Sequence, residues 1–251
     1  MSFKRSIPLF KVFVSPDVVN PVGNVLMSGY IGQGEVVERF EALLREHFNN
    51  DYINTVNSAT SGLHLALRMC DLSPGDEVLS SPLTCTATNW PILANNLAIK
   101  WVDTDPHTAN LDLDDLARKI TPKTKAVLVV HWGGYPIDLD KLDQILDRAK
   151  EMYGSRPLVI EDCAHAWGSY YRGKLVGNHG NYAVFSFQAI KHFTTVDGGL
   201  LITPNEQAHR RAKLLRWYGI DRSTNRKDFR CESDIPEWGY KFHMNDVNAT
   251  V

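Results

Sequence analysis

One lysine in this sequence follows closely on an apolar run of the kind found in buried strands. The run spans 182–187, Lys191 comes shortly after it, and Gly198-Gly199 leads into a second apolar run at 200–202. A lysine with such neighbours loses hydration, which favours the uncharged and nucleophilic amine. An amine of this kind is suited to forming a Schiff base with an aldehyde. A lysine after a strand is more often a solvated loop residue, so Lys191 needs support from other residues.

Two adjacent carboxylates end a second buried-strand pattern, Pro157-Leu-Val-Ile-Glu161-Asp162. Because successive side chains of a strand point to opposite faces, Glu161 and Asp162 cannot both face one pocket. A carboxylate held against the nitrogen of a pyridine ring would keep that nitrogen protonated and make the ring a better electron acceptor. The alternation does not decide between the two residues, and a strand-end carboxylate is often only a cap. We choose Asp162 for the role.

Small hydroxyl residues begin a helical pattern earlier in the chain. Asn57-Ser58-Ala59-Thr60-Ser61-Gly62 follows a short strand pattern and precedes the apolar residues of 63–67. A helix start of this kind leaves backbone N–H groups and hydroxyls free to bind a phosphate, although most such starts are simple N-caps. The amine, the carboxylate and the phosphate-binding turn occur in a workable order for one α/β site. Together they predict a site for pyridoxal 5'-phosphate.

The composition argues against several other classes of protein. Of the 251 residues, 27 are basic and 29 acidic, which disfavours a nucleic-acid or membrane-surface partner. No apolar run could span a bilayer and no signal-peptide core follows the N-terminus, so we expect a cytoplasmic protein. The histidines lack zinc-binding spacing, and we predict no metal site. A reduced compartment fits four cysteines that lie far apart, namely Cys70, Cys85, Cys163 and Cys231.

Short apolar strands alternate with helical patterns along most of the chain. This alternation predicts an α/β fold with three layers, in which helices cover both faces of a mostly parallel central sheet. Ligands of such sheets bind beyond the carboxyl ends of the strands. The residues at 28–34 and 218–237 are predicted to form loops, and a last helix is predicted to begin near Asn245. The other helices are predicted at 35–48, 60–69, 85–95, 112–119, 138–153 and 206–217, and the strands at 53–57, 77–80, 98–102, 126–130, 158–160, 182–187 and 200–202.

The segment His131-Trp132-Gly-Gly-Tyr-Pro136 directly follows one of these strands. It falls at a carboxyl end, where it could line the floor of a cofactor pocket. The glycines and the proline could equally build a tight turn with no direct role. The sequence does not decide between these two interpretations.

Four motifs that follow one another along the chain, at 57–60, 161–165, 186–199 and 239–246, resemble those of a known family. It is the DegT/DnrJ/EryC1/StrS family of sugar aminotransferases, within the fold-type I pyridoxal-phosphate enzymes. The resemblance runs from Ser28 to the last residue. It implies that 1–237 form a large cofactor-binding domain and that 238–251 begin the connection to a smaller C-terminal domain absent from this chain. The motifs are Asn57-Ser-Ala-Thr60, Glu161-Asp-Cys-Ala-His165, Ser186-Phe-Gln-Ala-Ile-Lys191 with Gly198-Gly199, and Gly239-Tyr-Lys-Phe-His-Met-Asn-Asp246.

The resemblance implies roles for the residues around the cofactor ring. Lys191 would bind the aldehyde of the cofactor and later shuttle protons. Asp162 would pair with the pyridine nitrogen, and His165 would lie near the ring hydroxyl. Cys85 stands at a position where relatives often have an aromatic ring stacked on the cofactor, and a thiol offers much less contact area.

The resemblance also implies how the phosphate is held. Ala59 and Thr60 would bind it through backbone amides and the threonine hydroxyl, and Ser186 would add a second hydroxyl. Lys241 of a second subunit would complete the cup, at a position where many relatives have asparagine. A lysine keeps a donor there and adds a positive charge.

The implied reaction is the transfer of an amino group from L-glutamate to a keto carbon of a nucleotide-linked deoxysugar. A homodimer with shared active sites would carry it out. One alternative is a dehydration of a deoxysugar on the same scaffold, in a branch that carries histidine in place of the lysine. Lys191 at the matched position favours amino transfer. The other alternative is a cofactor-binding fragment without activity.

Overall fold

The computed structural model describes residues 7–222 and 235–251, and a sheet of seven strands forms the centre of that part of the chain. A separate hairpin of two short strands packs beside it. The strands of the sheet and of the hairpin are, in chain order, β1 (Ile53–Val56), β2 (Glu77–Ser80), β3 (Ala98–Trp101), β4 (Thr124–Val130), β5 (Leu158–Asp162), β6 (Tyr170–Tyr171), β7 (Lys174–Leu175), β8 (Tyr182–Ser186) and β9 (Gly199–Ile202).

Side-chain caps define where several of the helices begin. The capping residues are Ser58, Asp112, Asp138, Asn205 and Asn245, each of which accepts a hydrogen bond from an N–H group of the first turn. Replacing such a cap by alanine costs about 1 kcal/mol. The helices are α1 (Val19–Ser28), α2 (Glu35–Phe48), α3 (Ala59–Met69), α4 (Thr86–Ala94), α5 (Leu113–Lys119), α6 (Leu139–Tyr153), α7 (Glu206–Leu215) and α8 (Asp246–Thr250).

The sheet is mostly parallel, as predicted. Its spatial order is β1-β9-β8-β5-β4-β2-β3. Within the described chain, β9 runs antiparallel to both of its neighbours, while the other strands share one direction. The carboxyl ends of β1, β5 and β8 therefore lie at the same edge of the sheet.

Alternation along the strands builds two apolar layers, one on each face of the sheet. On β4, Leu128 packs with α3, α4 and α7, whereas Val127 and Val129 pack with α5 and α6. On β8, Val184 belongs to the first of these layers, and Phe185 packs with α2 on the opposite face. The predicted α/β fold with three layers is thus confirmed.

A buried ion pair joins parts of the chain that are far apart in sequence. Arg216, just after α7, donates to Glu41 of α2 and to the carbonyl oxygen of Thr55 at 2.7 Å. Burial alone would raise the pKa of Glu41, but the charge and hydrogen bond of Arg216 outweigh it and hold that pKa below its usual value. Removing one partner of such a pair leaves a buried charge and costs about 3–5 kcal/mol.

The structure adds elements that the sequence patterns did not predict and shifts some boundaries. Helix α1 and the β6–β7 hairpin were not predicted, Ser28 ends α1 rather than beginning a loop, and α7 ends at Leu215 rather than at Trp217. Most of the loop predicted at 218–237 lies outside the described residues, as does Cys231. The other cysteines are free thiols. None of the helices in the described ranges is long and apolar enough to cross a membrane.

The segment predicted to begin a connection between domains packs on the same body as the rest of the chain. Tyr240 and Phe242 lie against the apolar layer that contains α3, and Met244 is buried in the layer that contains α2. Asp246 of α8 accepts from the N–H groups of Gly34 and Val37 and so caps α2 from a distance. The boundary between 237 and 238 stays a prediction.

Candidate active site

The N-terminus of α3 presents free donors at the carboxyl edge of the sheet. The Ser58 hydroxyl accepts from the N–H of Ser61 at 3.1 Å, and the Ser58 carbonyl accepts from Gly62 at 3.1 Å. The N–H groups of Ala59 and Thr60 belong to the first turn, where a helix offers no backbone acceptor. These donors and the helix dipole favour an anion at this point.

A close approach between α3 and β9 places Ser186 beside this helix terminus. A β-carbon added to Gly199 would lie 2.7 Å from the nitrogen of Ala59 and 2.8 Å from the carbonyl carbon of Ser58. Only glycine allows this contact without a shift of the backbone. Because Ser186 pairs with Gly199 across the sheet, its hydroxyl lies at the same edge as the free N–H groups.

Asp162 is buried and held rigidly at the end of β5. Its side chain and backbone are 4 % exposed. One carboxylate oxygen accepts from the Thr88 hydroxyl at 2.8 Å, and the other accepts from the N–H of Ala164 at 3.0 Å. Thr88 lies one turn into α4, and its N–H donates to the carbonyl oxygen of the exposed Cys85 at 3.0 Å. The structure therefore links Asp162 to the start of α4, a contact that the sequence patterns did not predict.

Glu161 faces the other side of the sheet, as the alternation of strand residues predicted. His131 lies 2.8 Å from one of its carboxylate oxygens, and the amide of Asn181 donates to the other at 2.8 Å. Burial would raise the pKa of Glu161, but these hydrogen bonds outweigh it and keep that pKa below its usual value. Asp162 alone of the two therefore faces the side of the sheet on which α3 and α4 pack.

His131, Glu161 and Cys163 are buried and bring one potential metal ligand each within 4.8 Å of one another. The ring nitrogens of His131 and the carboxylate oxygens of Glu161 already take part in hydrogen bonds within the chain. Burial and the nearby carboxylates also raise the pKa of the Cys163 thiol, which opposes the thiolate that a metal needs. The cluster thus suits a hydrogen-bonded core better than a metal ion.

His165 contacts the segment that follows β4. The N–H of Gly133 donates to its Nδ1 at 3.4 Å, and the ring of Trp132 meets its ring edge-on at 5.4 Å. Burial lowers the pKa of His165, the positive charge of Lys191 lowers it further, and the charge of Asp162 opposes them. Lys191 and Asp162 therefore both lie near enough to His165 to affect its pKa, with opposite signs.

The surroundings of Lys191 are less apolar than the preceding strand suggested. Lys191 is partly buried in a turn whose backbone is closed by its N–H donating to Gln188 at 2.9 Å. Its neighbours Ile190 and His192 are exposed. It lines a surface cleft of about 430 Å³ together with residues 10–15 and 192–194. The amine is therefore accessible, and its loss of hydration is incomplete.

Lys241 lies near α3 of its own chain. Its carbonyl oxygen accepts from the side-chain amide of Asn57 at 3.2 Å, and the next carbonyl, of Phe242, accepts from the N–H of Asn57 at 2.7 Å. The Lys241 side chain is exposed. Its predicted role toward the site of a second subunit stays a prediction.

A larger cleft of about 640 Å³ lies away from all of these residues, between the starts of α5 and α6. Its aspartates are already used by the fold: Asp112 and Asp138 cap the two helices, and Asp105 accepts from Thr108 in a turn. Its size does not make it the candidate site, because it holds none of the predicted chemistry.

The described chain is a three-layer α/β domain in which the candidate residues Asp162 and Ser186 lie at the carboxyl ends of parallel strands. It belongs to the DegT/DnrJ/EryC1/StrS aminotransferase family, whose family model matches residues 15–251. The resemblance predicted from the motifs is confirmed. The roles of the individual site residues are not settled by this match and stay predictions.

Three solved structures show how closely the fold is shared. AtS13 from Actinomadura melliaura is 56% identical over 99% of this chain, with a TM-score of 0.95. The sugar aminotransferase CalS13 from Micromonospora echinospora is 49% identical over 98%, with a TM-score of 0.92. Spr1654 from Streptococcus pneumoniae, solved in a PLP form, is 29% identical over 98%, with a TM-score of 0.87. The chain spans just under two thirds of the length of these proteins, 66%, 66% and 65% respectively.

Proposed function

We propose that this chain is the cofactor-binding part of a cytoplasmic, pyridoxal-phosphate-dependent sugar aminotransferase. It transfers an amino group from L-glutamate to a keto carbon of a nucleotide-linked sugar. Membership of the family and the likeness to CalS13 support the class of reaction. The observation that carries the proposal is that the free N–H groups of α3 and the buried carboxylate of Asp162 lie at the same edge of the sheet. Lys191 supports it, because its charge is near enough to lower the pKa of His165.

The residues present fit the cofactor at both of its ends. Ala59, Thr60 and Ser186 offer backbone N–H groups and hydroxyls to the phosphate, in a cradle that Gly199 keeps open. Each oxygen of Asp162 has one donor within the chain, and a carboxylate oxygen can accept a second. Asp162 can therefore accept the N–H of a protonated pyridine ring. The likeness to Spr1654, solved in a PLP form, supports the same cofactor.

When bound, pyridoxal phosphate supplies an aldehyde that condenses with amines and a ring that accepts the electron pair released from a C–H bond. Lys191 would hold the cofactor through its aldehyde. Its Nζ would take the α-proton of glutamate and return a proton to the product, and it would serve the keto-sugar in the reverse order. Asp162 keeps the ring nitrogen protonated throughout, while the α3 terminus fixes the orientation of the ring.

Borohydride reduction of the chain loaded with pyridoxal phosphate tests the cofactor and the lysine together. The reduced label is expected on the peptide that contains Lys191, and Lys191→Ala abolishes it. Lys11→Ala is the matched control, because Lys11 lines the same cleft and has no predicted role. A label on any other lysine overturns the proposal.

Product analysis separates the possible reactions. With ¹⁵N-glutamate and a nucleotide-linked keto-sugar, we expect a ¹⁵N-labelled sugar amine. A deoxygenated ketone without amine would instead indicate a dehydratase. A cofactor bound at Lys191 with neither product would indicate binding without catalysis.

We further propose a homodimer whose second copy covers the N-terminal part of the chain. Helix α1 buries none of its residues, and large apolar side chains are exposed from the N-terminal segment to the loop after α1. A contiguous apolar surface is costly in water and is typical of a protein interface. The most exposed of these side chains are Ile7, Leu9, Phe13, Met27 and Tyr30.

A further inference from the structure

Two fully buried titratable side chains near the site have no part in the chemistry proposed above. Glu161 and His131 are both 0 % exposed, and they lie 2.8 Å apart. A buried carboxylate is costly unless every oxygen is paired, so this contact is expected to serve a specific purpose. The positions of Glu161 and His131 on neighbouring strands indicate this purpose. Glu161 precedes Asp162 on β5, and His131 follows the end of β4, the neighbouring strand.

The hydrogen bonds define which ring nitrogen of His131 carries the proton. The N–H of Ile137 donates to Nδ1 at 3.2 Å, so Nδ1 accepts and carries no hydrogen. Nε2 therefore carries the proton and donates a hydrogen bond to Glu161. The amide of Asn181 donates to the second oxygen of Glu161. A neutral imidazole and a carboxylate thus have a hydrogen-bond partner for each ring nitrogen and each oxygen.

Through Ile137, this pair closes the turn that carries Gly133. The turn is tightened by the N–H of Gly134 donating to the carbonyl of His131 at 3.1 Å. Gly133 and Gly134 adopt φ values of +59° and +82°, which L side chains rarely adopt. A β-carbon on Gly134 would also lie 2.8 Å from the carbonyl oxygen of His165. The turn and His165 are thus packed directly against each other.

The same turn presents an N–H group to His165. Gly133 donates to Nδ1 of His165 at 3.4 Å, so a proton on that Nδ1 would face the N–H of Gly133. Only the form with the proton on Nε2 avoids this conflict. The charged groups that act on His165 are Lys191, Asp162 and His192. Burial and the positive charge of Lys191 disfavour a second proton, while Asp162 favours it.

We propose that Glu161 and His131 are positioning residues, which hold the 131–137 turn so that His165 stays neutral and donates from Nε2. This inference rests on the proposed function in one respect, namely that the Nε2–H group of His165 serves the cofactor ring. The arrangement supplies a fixed hydrogen-bond donor beside Lys191 and Asp162. It also assigns a purpose to a buried carboxylate that does not touch the cofactor.

Histidine ¹⁵N NMR of the chain without cofactor tests the tautomers directly. In the wild type, His131 and His165 are both expected to show a protonated Nε2 and an unprotonated Nδ1. His131→Gln keeps a donor where Nε2 was but has no acceptor for the N–H of Ile137. We expect this variant to lose the single tautomer of His165. In the loaded protein, the pH midpoint of the cofactor's visible absorbance is expected to move by about one unit.

His209→Gln is the matched control. His209 also uses its Nδ1 in a hydrogen bond, with Asn54 at 2.9 Å, but it lies on α7, away from the site. It should change neither the tautomer of His165 nor the absorbance profile. An unchanged His165 in folded His131→Gln overturns the proposal. If that variant does not fold, the wild-type spectrum decides, because a proton on Nδ1 of either histidine also overturns it.

The outcome is independent of whether the cofactor proposal holds. The tautomers are read without cofactor, whereas a failure of the proposed function shows as borohydride label away from Lys191. A normal label at Lys191 combined with a proton on Nδ1 of His165 would contradict the positioning proposal and leave the proposed function intact.

Discussion

Neighbouring carboxylates on β5 have different surroundings, because the strand sends them to opposite faces. Asp162 accepts a hydrogen bond from a hydroxyl of α4 and lies at the edge where α3 begins. Glu161 instead forms hydrogen bonds with His131 and Asn181. One strand thereby supplies a residue for the proposed cofactor and a residue for the support behind it. At this scale, the face of the sheet to which a carboxylate points decides its role, since both groups are almost fully buried and each of their oxygens has one donor.

Asp162→Asn tests the proposed contact with the ring nitrogen. Asparagine can still accept from Thr88 but cannot hold a proton on the ring nitrogen as a carboxylate does. We expect kcat for amino transfer to fall by at least about 100-fold, with the cofactor still trapped at Lys191. Steady-state kinetics and borohydride labelling of the same preparation measure both quantities.

The control is Asp115→Asn, because Asp115 is an equally buried aspartate in an ion pair with Lys119 far from the site. Its loss should lower the free energy of unfolding by about 1–3 kcal/mol and leave kcat unchanged. Equal losses of kcat in the two variants would show that Asp162 acts only through the stability of the fold.

At the scale of elements, periodicity predicted the helices and strands that build the core. Helix α2 was predicted with its observed bounds, because apolar residues recur along it at helical spacing, and Val37, Leu44 and Phe48 are buried. The strands of 126–130 and 182–187 were found because they are buried on both faces and have few polar residues. The turn before α3 was found because hydroxyl residues there cap a helix.

Other elements have no local signal. Helix α1 contains Pro21 and Gly23 and buries no side chain, so neither propensity nor an apolar stripe indicates a helix. The antiparallel direction of β9 appears only in its pairing with β8 and β1, and the residues of the strand itself do not indicate it. The strands of the β6–β7 hairpin have only 2 residues each, too few for a period.

The supporting contacts of the site were also beyond the sequence. Thr88 reaches Asp162 across 74 positions, and His131 reaches Glu161 across 30. The first pair depends on the packing of α4 on the sheet, and the second on the register of β4 with β5. The segment 84–88 contains three threonines and follows a predicted strand, but nothing in the sequence distinguishes the hydroxyl that binds Asp162. The sequence thus predicts that a site lies at the strand ends, but it does not predict which side chains form hydrogen bonds with each other there.

Gly199→Ala tests whether the approach of α3 to β9 forms the phosphate cradle. The added β-carbon would collide with the backbone at Ala59 and Ser58 and push the helix terminus out of place. We expect about a tenfold or greater loss in affinity for pyridoxal phosphate, equivalent to about one hydrogen bond to a charged group. Absorbance titration of the apoprotein measures this loss.

Gly62→Ala is the matched variant within α3. Its β-carbon would meet the Val184 side chain at 2.8 Å and not the helix terminus. Both substitutions should lower the free energy of unfolding by about 1–3 kcal/mol through overpacking, but only Gly199→Ala should lower the affinity. Equal affinities in the two variants would rule out the cradle.

At the scale of the whole molecule, two features of the described surface support the proposed homodimer. The N-terminal segment and α1 expose large apolar side chains, of which Leu9 is 99% exposed. Lys241 is also exposed, and its backbone carbonyl contacts Asn57 in the turn before α3, near the edge where the phosphate is proposed to bind. A two-fold dimer would cover the apolar surface and could bring Lys241 of each copy to the site of the other.

Mixed dimers test whether the sites are shared. Lys191→Ala subunits cannot trap the cofactor, and Lys241→Glu subunits should bind it poorly because a carboxylate repels the phosphate. If Lys241 serves the site of the other subunit, a mixed dimer contains one intact site, formed by Lys191 of one chain and Lys241 of its partner. Half of the dimers in an equal mixture are mixed, so borohydride label should return to about a quarter of the wild-type amount.

The mixture discriminates because the alternative gives a different amount of label. If Lys241 acts only on its own chain, no intact site forms and the label stays at the level of the Lys241→Glu subunits alone. Lys213→Glu, an exposed lysine on α7, controls for the change of charge and should trap the cofactor normally without a partner. A native mass equal to one chain would remove the basis for shared sites and leave the apolar surface around α1 to be explained by other means.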